Sequence, residues 1–157
     1  GSFFMAFLQY ERALRKNENN LRVIYKKGLA LLHGGKLTEA KDQFVLVLKS
    51  NPDDALAYEG LGRVAMKEKD YLAAKIYFEK AVALDPLLWR SYNYLGNIYD
   101  LQGEKEKAIR EYRTAVTTNP KAGFVFNNLG VSLENTSAEC LQGQPPVDVE
   151  LWHGGGA

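Results

Sequence analysis

The 157-residue chain has one cysteine, Cys140, and two histidines, His33 and His153. A lone thiol forms no internal disulfide, so cysteine usage leaves the redox compartment open. Neither histidine belongs to a ligand-spaced cluster, and no metal site is legible. Cys140 sits in a polar stretch without a neighbouring histidine, a poor setting for a thiolate nucleophile. A dominant charge is missing too: 20 Lys and Arg face 19 Asp and Glu. Residues 121–157 hold one of those bases, Lys121, and four of the acids. That leaves 19 bases against 15 acids, a formal +4, over residues 1–120. Such an excess is too diffuse for a nucleic-acid stripe, so no nucleic acid is expected as partner. Long apolar runs are absent as well. Nothing approaches the ~20 residues of a membrane span, and Phe3 to Leu8 is short for a signal segment. Direct membrane insertion is not expected, and cytoplasm and periplasm both remain open. Gly34-Gly35 and Gly154 to Gly156 do not link a strand to a helix, so neither is a phosphate loop. No catalytic constellation and no cofactor site can be assembled.

A period is what the chain does have. Pro52, Pro86 and Pro120 stand 34 residues apart. Aligned on them, three segments begin at Leu21, Ala55 and Trp89. Position 8 of each is a glycine: Gly28, Gly62 and Gly96. Position 20 holds Ala40, Ala74 and Ala108; position 24 holds Phe44, Phe78 and Tyr112; position 27 holds Val47, Ala81 and Ala115. Self-similarity at this spacing marks stacked repeats in which each unit contacts mainly its neighbours.

The second segment gives the local structure. Tyr58, Leu61, Gly62 and Ala65 fall at i, i+3, i+4 and i+7, one apolar stripe of a helix. Lys67 to Asp70 break it. Tyr71, Ala74, Phe78, Ala81 and Val82 form a second stripe, which must stop before Pro86 because proline disfavours helical geometry in its predecessor. His33 with Gly34-Gly35 reads as a basic last turn and a glycine stop. A mid-helix glycine costs about 1 kcal/mol against alanine. Three at one register therefore predict close helix contact, with the aromatic at position 24 filling the space between repeats.

These residues resemble the tetratricopeptide repeat. The resemblance covers Leu21 to Pro120 as three full units and implies an all-α fold, an α-α superhelix or solenoid of helix-turn-helix repeats. Residues 3–16 resemble a lone second helix (helix B) of a preceding unit, with Ala6, Tyr10 and Ala13 at positions 20, 24 and 27. The units are expected at 21–54, 55–88 and 89–122. A first helix (helix A) of a partial fourth unit follows at 123–135, with Phe126, Leu129 and Gly130 in register. Residues 136–157 read as an irregular tail of vector or linker origin. If ordered, its Val147, Val149, Leu151 and Trp152 would dock in a groove. Gly1-Ser2 reads as an expression scar, and the opening on half a repeat as a piece of a longer protein.

In this family helix A lines the concave face, mainly through positions 2, 5, 6, 9, 12 and 13. The resemblance implies a peptide-binding groove of Arg22, Tyr25, Lys26, Leu29, Glu59, Arg63, Met66, Arg90, Asn93, Tyr94, Asn97, Asn127 and Asn128. The asparagine amides both donate and accept, which suits a peptide main chain, and Tyr25, Tyr94, Leu29 and Met66 suit anchor residues. A groove of this size is expected to bind one short segment at roughly micromolar Kd. Relatives that clamp a chaperone's C-terminal carboxylate carry Lys and Asn where this chain has Tyr25, Leu29 and Gly60, which argues against that role.

The expected function is a non-enzymatic scaffold holding a peptide or helix of a partner protein. Residues 124–133 resemble bacterial pilus- and secretion-type repeat proteins, the TadD-like group. Two other readings compete. One is head-to-tail self-assembly into a homo-oligomer through the exposed repeat ends. The other is a repeat domain cut from a larger enzyme such as a glycosyltransferase.

Overall fold

The computed structural model describes residues 2–14 and 20–141. Within them it contains eight helices and no strand: α1 (Ser2–Leu14), α2 (Leu21–His33), α3 (Leu37–Ser50), α4 (Ala55–Glu68), α5 (Tyr71–Leu84), α6 (Trp89–Leu101), α7 (Lys105–Thr118) and α8 (Gly123–Leu141). Contacts divide the chain into two compact units, residues 1–91 and 92–157. Residues 15 and 16 of the expected leading helix lie outside the described residues. So does the tail from residue 142, with its Val147, Val149, Leu151 and Trp152.

Helix boundaries follow from the polar residues and prolines around them. Asn20, Asp54 and Asp70 cap α2, α4 and α5 by accepting from the main-chain N–H groups of Val23, Ala57 and Ala73 at 3.3, 2.9 and 3.1 Å. Each such cap satisfies a donor the first turn leaves unpaired. At the other end, Asn51, Asp85 and Asn119 precede the three prolines and adopt nearly the same extended geometry, φ −135 to −137°. Their own N–H groups close on position 27, at Val47, Ala81 and Ala115.

The turns between paired helices also repeat. Position 15 is left-handed in all three units: Gly35 at φ 76°, Lys69 at 62° and Gly103 at 77°. The next N–H then reaches back to Leu31, Ala65 and Tyr99 at 2.9 Å, closing each helix end. In the fourth unit this position is Ser137, whose hydroxyl donates to the Leu133 carbonyl while Thr136 donates to Ser132. Between Val131 and Leu141 there is neither glycine nor proline. The helix expected to end at 135 therefore continues to Leu141, six residues into the segment expected to be irregular.

In unit one the core is built on Phe44. Its ring meets α2 at Gly28 and α4 at Gly60, where an added Cβ would stand 2.7 and 2.6 Å from ring carbon. Leu31, Leu32, Ala40, Leu61 and Val64 complete the cluster. Gly62 and Phe78 repeat the contact within the α4–α5 pair at 2.7 Å. The glycines thus sit where helix and ring approach too closely for any side chain. In unit two Tyr112 takes the same place against Gly96, and Leu95, Ile98, Ala108, Ile109, Ala115 and Val125 are buried in the same unit.

Candidate functional site

The helix A face of unit one is formed by α2, α4 and the first residues of α6. Arg22, Lys26, Lys67 and Arg90 are exposed, and Tyr25, Leu29, Arg63 and Met66 are half-buried. Tyr25 packs on Phe44, ring centroids 5.7 Å apart, and Leu29 packs on the core cluster. Burial, followed by the Glu59 carboxylate, pushes the Tyr25 phenol up to about 12. Arg90 stacks on Trp89 with its guanidinium carbon 4.3 Å from the ring centroid.

The one acid in the expected set is not on the surface. Glu59 is 3% exposed and accepts from the Ser91 hydroxyl at 2.8 Å. Burial raises its carboxyl above the ordinary range, and the Ser91 hydrogen bond with Arg63 and Arg90 opposes that rise. Beyond the expected set, His33 Nε2 lies 3.0 Å from the Arg63 guanidinium. Burial and the Arg63 and Lys67 charges hold His33 below its usual value, so a neutral ring accepts from Arg63. Along α2 and α4 the cations meet one exposed acid, Glu68, at the end of α4. This face is cationic with an apolar floor. Gly60, where carboxylate-clamping relatives carry Asn, has no room for a side chain because of Phe44.

Unit two carries α6 and α8, and its amides face one another. Asn93 is 6% exposed and accepts from the Asn128 amide at 2.9 Å. Asn97 Oδ1 lies 2.7 Å from the Tyr112 hydroxyl. Tyr94 is half-buried and Asn127 exposed. Most amides that the sequence offers to a peptide main chain are thus engaged inside the unit. Asp100 organises a network the sequence reading did not anticipate. It accepts from Tyr112 at 2.9 Å, from Ser132 at 2.7 Å and from Lys105 at 3.1 Å. Burial and this carboxylate raise the Tyr112 phenol well above its ordinary value. A signal existed: position 24 is Phe in the first two units, and a tyrosine hydroxyl at so buried a site requires a polar partner.

Among the described residues no group of three His, Cys, Asp or Glu is placed to hold a metal ion. No helix among them is long and apolar enough to cross a membrane.

Comparison with known proteins agrees with the geometry. Tetratricopeptide repeat models match residues 25–87 and 77–110. Human Tetratricopeptide repeat protein 6 is 28% identical over 119 residues, 76% of this chain but 23% of its own length. This chain therefore spans less than a quarter of that relative. MamA from Desulfovibrio magneticus RS-1 superposes with a TM-score of 0.69 at 30% identity, covering 87% of this chain and 77% of that one. The first such domain of Spaghetti (RPAP3), solved with an HSP90 peptide, has a TM-score of 0.68 at 20% identity. It covers 74% of this chain and 93% of that one, and shares the fold alone. The all-α helical-hairpin architecture expected from the period is the one these structures share.

Proposed function

Because the chain belongs to the tetratricopeptide repeat family, whose members mediate protein–protein interaction, we propose that it is a non-enzymatic scaffold gripping an acidic segment of a partner protein. The observation that carries this is the charge of the unit-one face. Arg22, Lys26, Arg63, Lys67 and Arg90 project from it, while Glu59 is withdrawn into the interior. Tyr25, Leu29 and Met66 supply the apolar floor for one or two anchor side chains. Exposed cations speed encounter and select charge, and the apolar anchors set the lifetime of the complex. The setting in a pilus or secretion-type assembly rests on the resemblance of residues 124–133 alone.

Fluorescence anisotropy with a labelled twelve-residue peptide of Glu and Leu, and with its Gln counterpart, tests this. The acidic peptide should bind at roughly micromolar Kd and weaken with salt. The double variant Arg22→Glu, Lys26→Glu, at two exposed positions, should lose about tenfold in affinity at unchanged Tm, a loss of about 1.4 kcal/mol. Equal binding of the Gln peptide, or no response to charge reversal, would overturn the assignment.

A further inference from the structure

Resting on the reading of the unit-one face as the seat of an acidic segment, we infer that one carboxylate of that segment lodges between His33 and Arg63, and that His33 takes up a proton from solvent as it does so. The two side chains already meet. His33 Nε2 lies 3.0 Å from an Arg63 guanidinium nitrogen, across the contact between α2 and α4. A guanidinium offers N–H donors alone, so the ring presents its lone pair at Nε2 and carries its hydrogen on Nδ1. A second proton would go to Nε2. There it would face the Arg63 N–H, donor against donor and cation against cation.

Among the described residues no acid relieves that conflict. Arg63 and Lys67, both on α4, are the charges that act on the ring, and both hold it neutral. On α2, Lys26 lines the same cleft as His33, and the helix from Leu21 to His33 contains no acid. From α1 the cleft receives Ser2, Phe3, Ala6 and Tyr10, none of them acidic. Glu11, the one acid of α1, is paired with Lys27. On the first turn of α3, Glu39 is paired with Lys36. Glu59 is buried against Ser91, and Glu68 stands beyond Lys67 at the exposed end of α4.

A carboxylate supplies what is missing. Its oxygens accept from a protonated Nε2 and from the Arg63 N–H together, so the clash becomes two charge-assisted hydrogen bonds. Its charge also offsets the Arg63 and Lys67 field, which moves the ring back above its ordinary value. Proton and ligand therefore favour each other, each by the same factor. Binding strengthens as pH falls through the raised value of the bound ring, and levels off below the lowered value of the free one. A carbonyl or side-chain amide of the partner neutralises no charge, so the seat selects carboxylates.

Anisotropy of the labelled Glu and Leu peptide on the full chain, between about pH 8 and about pH 5.5, tests the inference. The peptide carboxyls, at about 4.3, stay largely ionised over that range. Affinity should rise about fivefold as pH falls across it, and the His33 ring proton resonance should titrate about one unit higher with peptide bound. The other histidine, His153, is replaced as His153→Gln to leave a single ring signal. His33→Gln should flatten the slope of affinity against pH. A slope that survives in His33→Gln would place the proton on Glu59 and overturn the inference, as would a level affinity in wild type. Either result leaves the acidic reading of the face intact. A peptide that fails to bind at every pH removes that reading, and this inference with it.

Discussion

The Tyr112 hydroxyl lies 2.9 Å from Asp100 Oδ2, at a position where the two preceding repeats place a phenylalanine ring. The ring occupies the same slot in all three, against the position-8 glycine. Tyr112→Phe should therefore preserve packing and remove only the hydroxyl's hydrogen bonding to Asp100 and Asn97. Asp100 keeps Ser132 and Lys105. The loss should be about 1–2 kcal/mol, seen as a lower midpoint in urea unfolding with an unchanged slope. The phenol is raised in the folded state, so its contribution is complete below pH 10 and declines at higher pH. The variant should lose less stability than wild type above pH 10.

Glu59 makes a prediction of opposite sign. Its carboxyl is raised because burial disfavours the ionised form, so folding is favoured when it is protonated and disfavoured when it is charged. Stability from this group is present below its ordinary value of 4.5 and lost as pH rises through the elevated one. Glu59→Gln keeps an acceptor for Ser91 and removes the buried charge. The variant should be more stable than wild type at pH 7, with the difference fading below pH 4.5. Calorimetry at the two pH values checks it; a destabilised variant at pH 7 would mean that Arg63 and Arg90 outweigh burial.

How much of this could be read in advance depends on whether a feature repeats. Gly28, Ala40, Phe44 and Val47 recur with their equivalents at one spacing, and hairpins, turns and core follow from them. The extended residues before Pro52, Pro86 and Pro120 were legible for the same reason. What stayed hidden was specific to one copy. Position 5 was expected on the groove surface, yet Glu59 and Asn93 are buried there because Ser91 and Asn128, on the helix A of the next repeat (α6 and α8), supply partners. Those pairs join residues 32 and 35 apart, and neither residue alone announces the other. α8 runs past its expected end because Ser137 stands where the three preceding units place their left-handed residue, Gly35, Lys69 and Gly103.

The position-8 glycines should divide by what faces them. A Cβ at Gly62 would stand 2.7 Å from the Phe78 ring, which is fully buried and has nowhere to go. Gly62→Ala gains about 1 kcal/mol of helix propensity but incurs overpacking of about 1–3 kcal/mol, so it should be net destabilising. Gly130→Ala meets open space among the described residues and should be stabilising by up to about 1 kcal/mol. Thermal unfolding of the two variants, at a concentration where wild type is monomeric, should shift in opposite directions. A common direction would show that propensity, and not the ring, governs this register.

Lys69 offers a test of the turn. It is the one non-glycine residue at positive φ, 62°, among the described residues, and its equivalents in the flanking repeats are Gly35 and Gly103. A side chain in the left-handed region costs about 1–2 kcal/mol through crowding of Cβ against the carbonyl. Glycine removes that crowding but adds freedom to the unfolded chain, about 0.5–1 kcal/mol in the other direction. The Asp70 N–H to Ala65 carbonyl bond, 2.9 Å, requires the left-handed turn and is unchanged by the substitution. Lys69→Gly should accordingly stabilise by up to about 1 kcal/mol, whereas Lys69→Val, with its branched Cβ, should be clearly destabilising. Urea midpoints for the three proteins should rank Gly above Lys above Val. A valine variant as stable as wild type would mean that the turn relaxes out of the left-handed region at little cost.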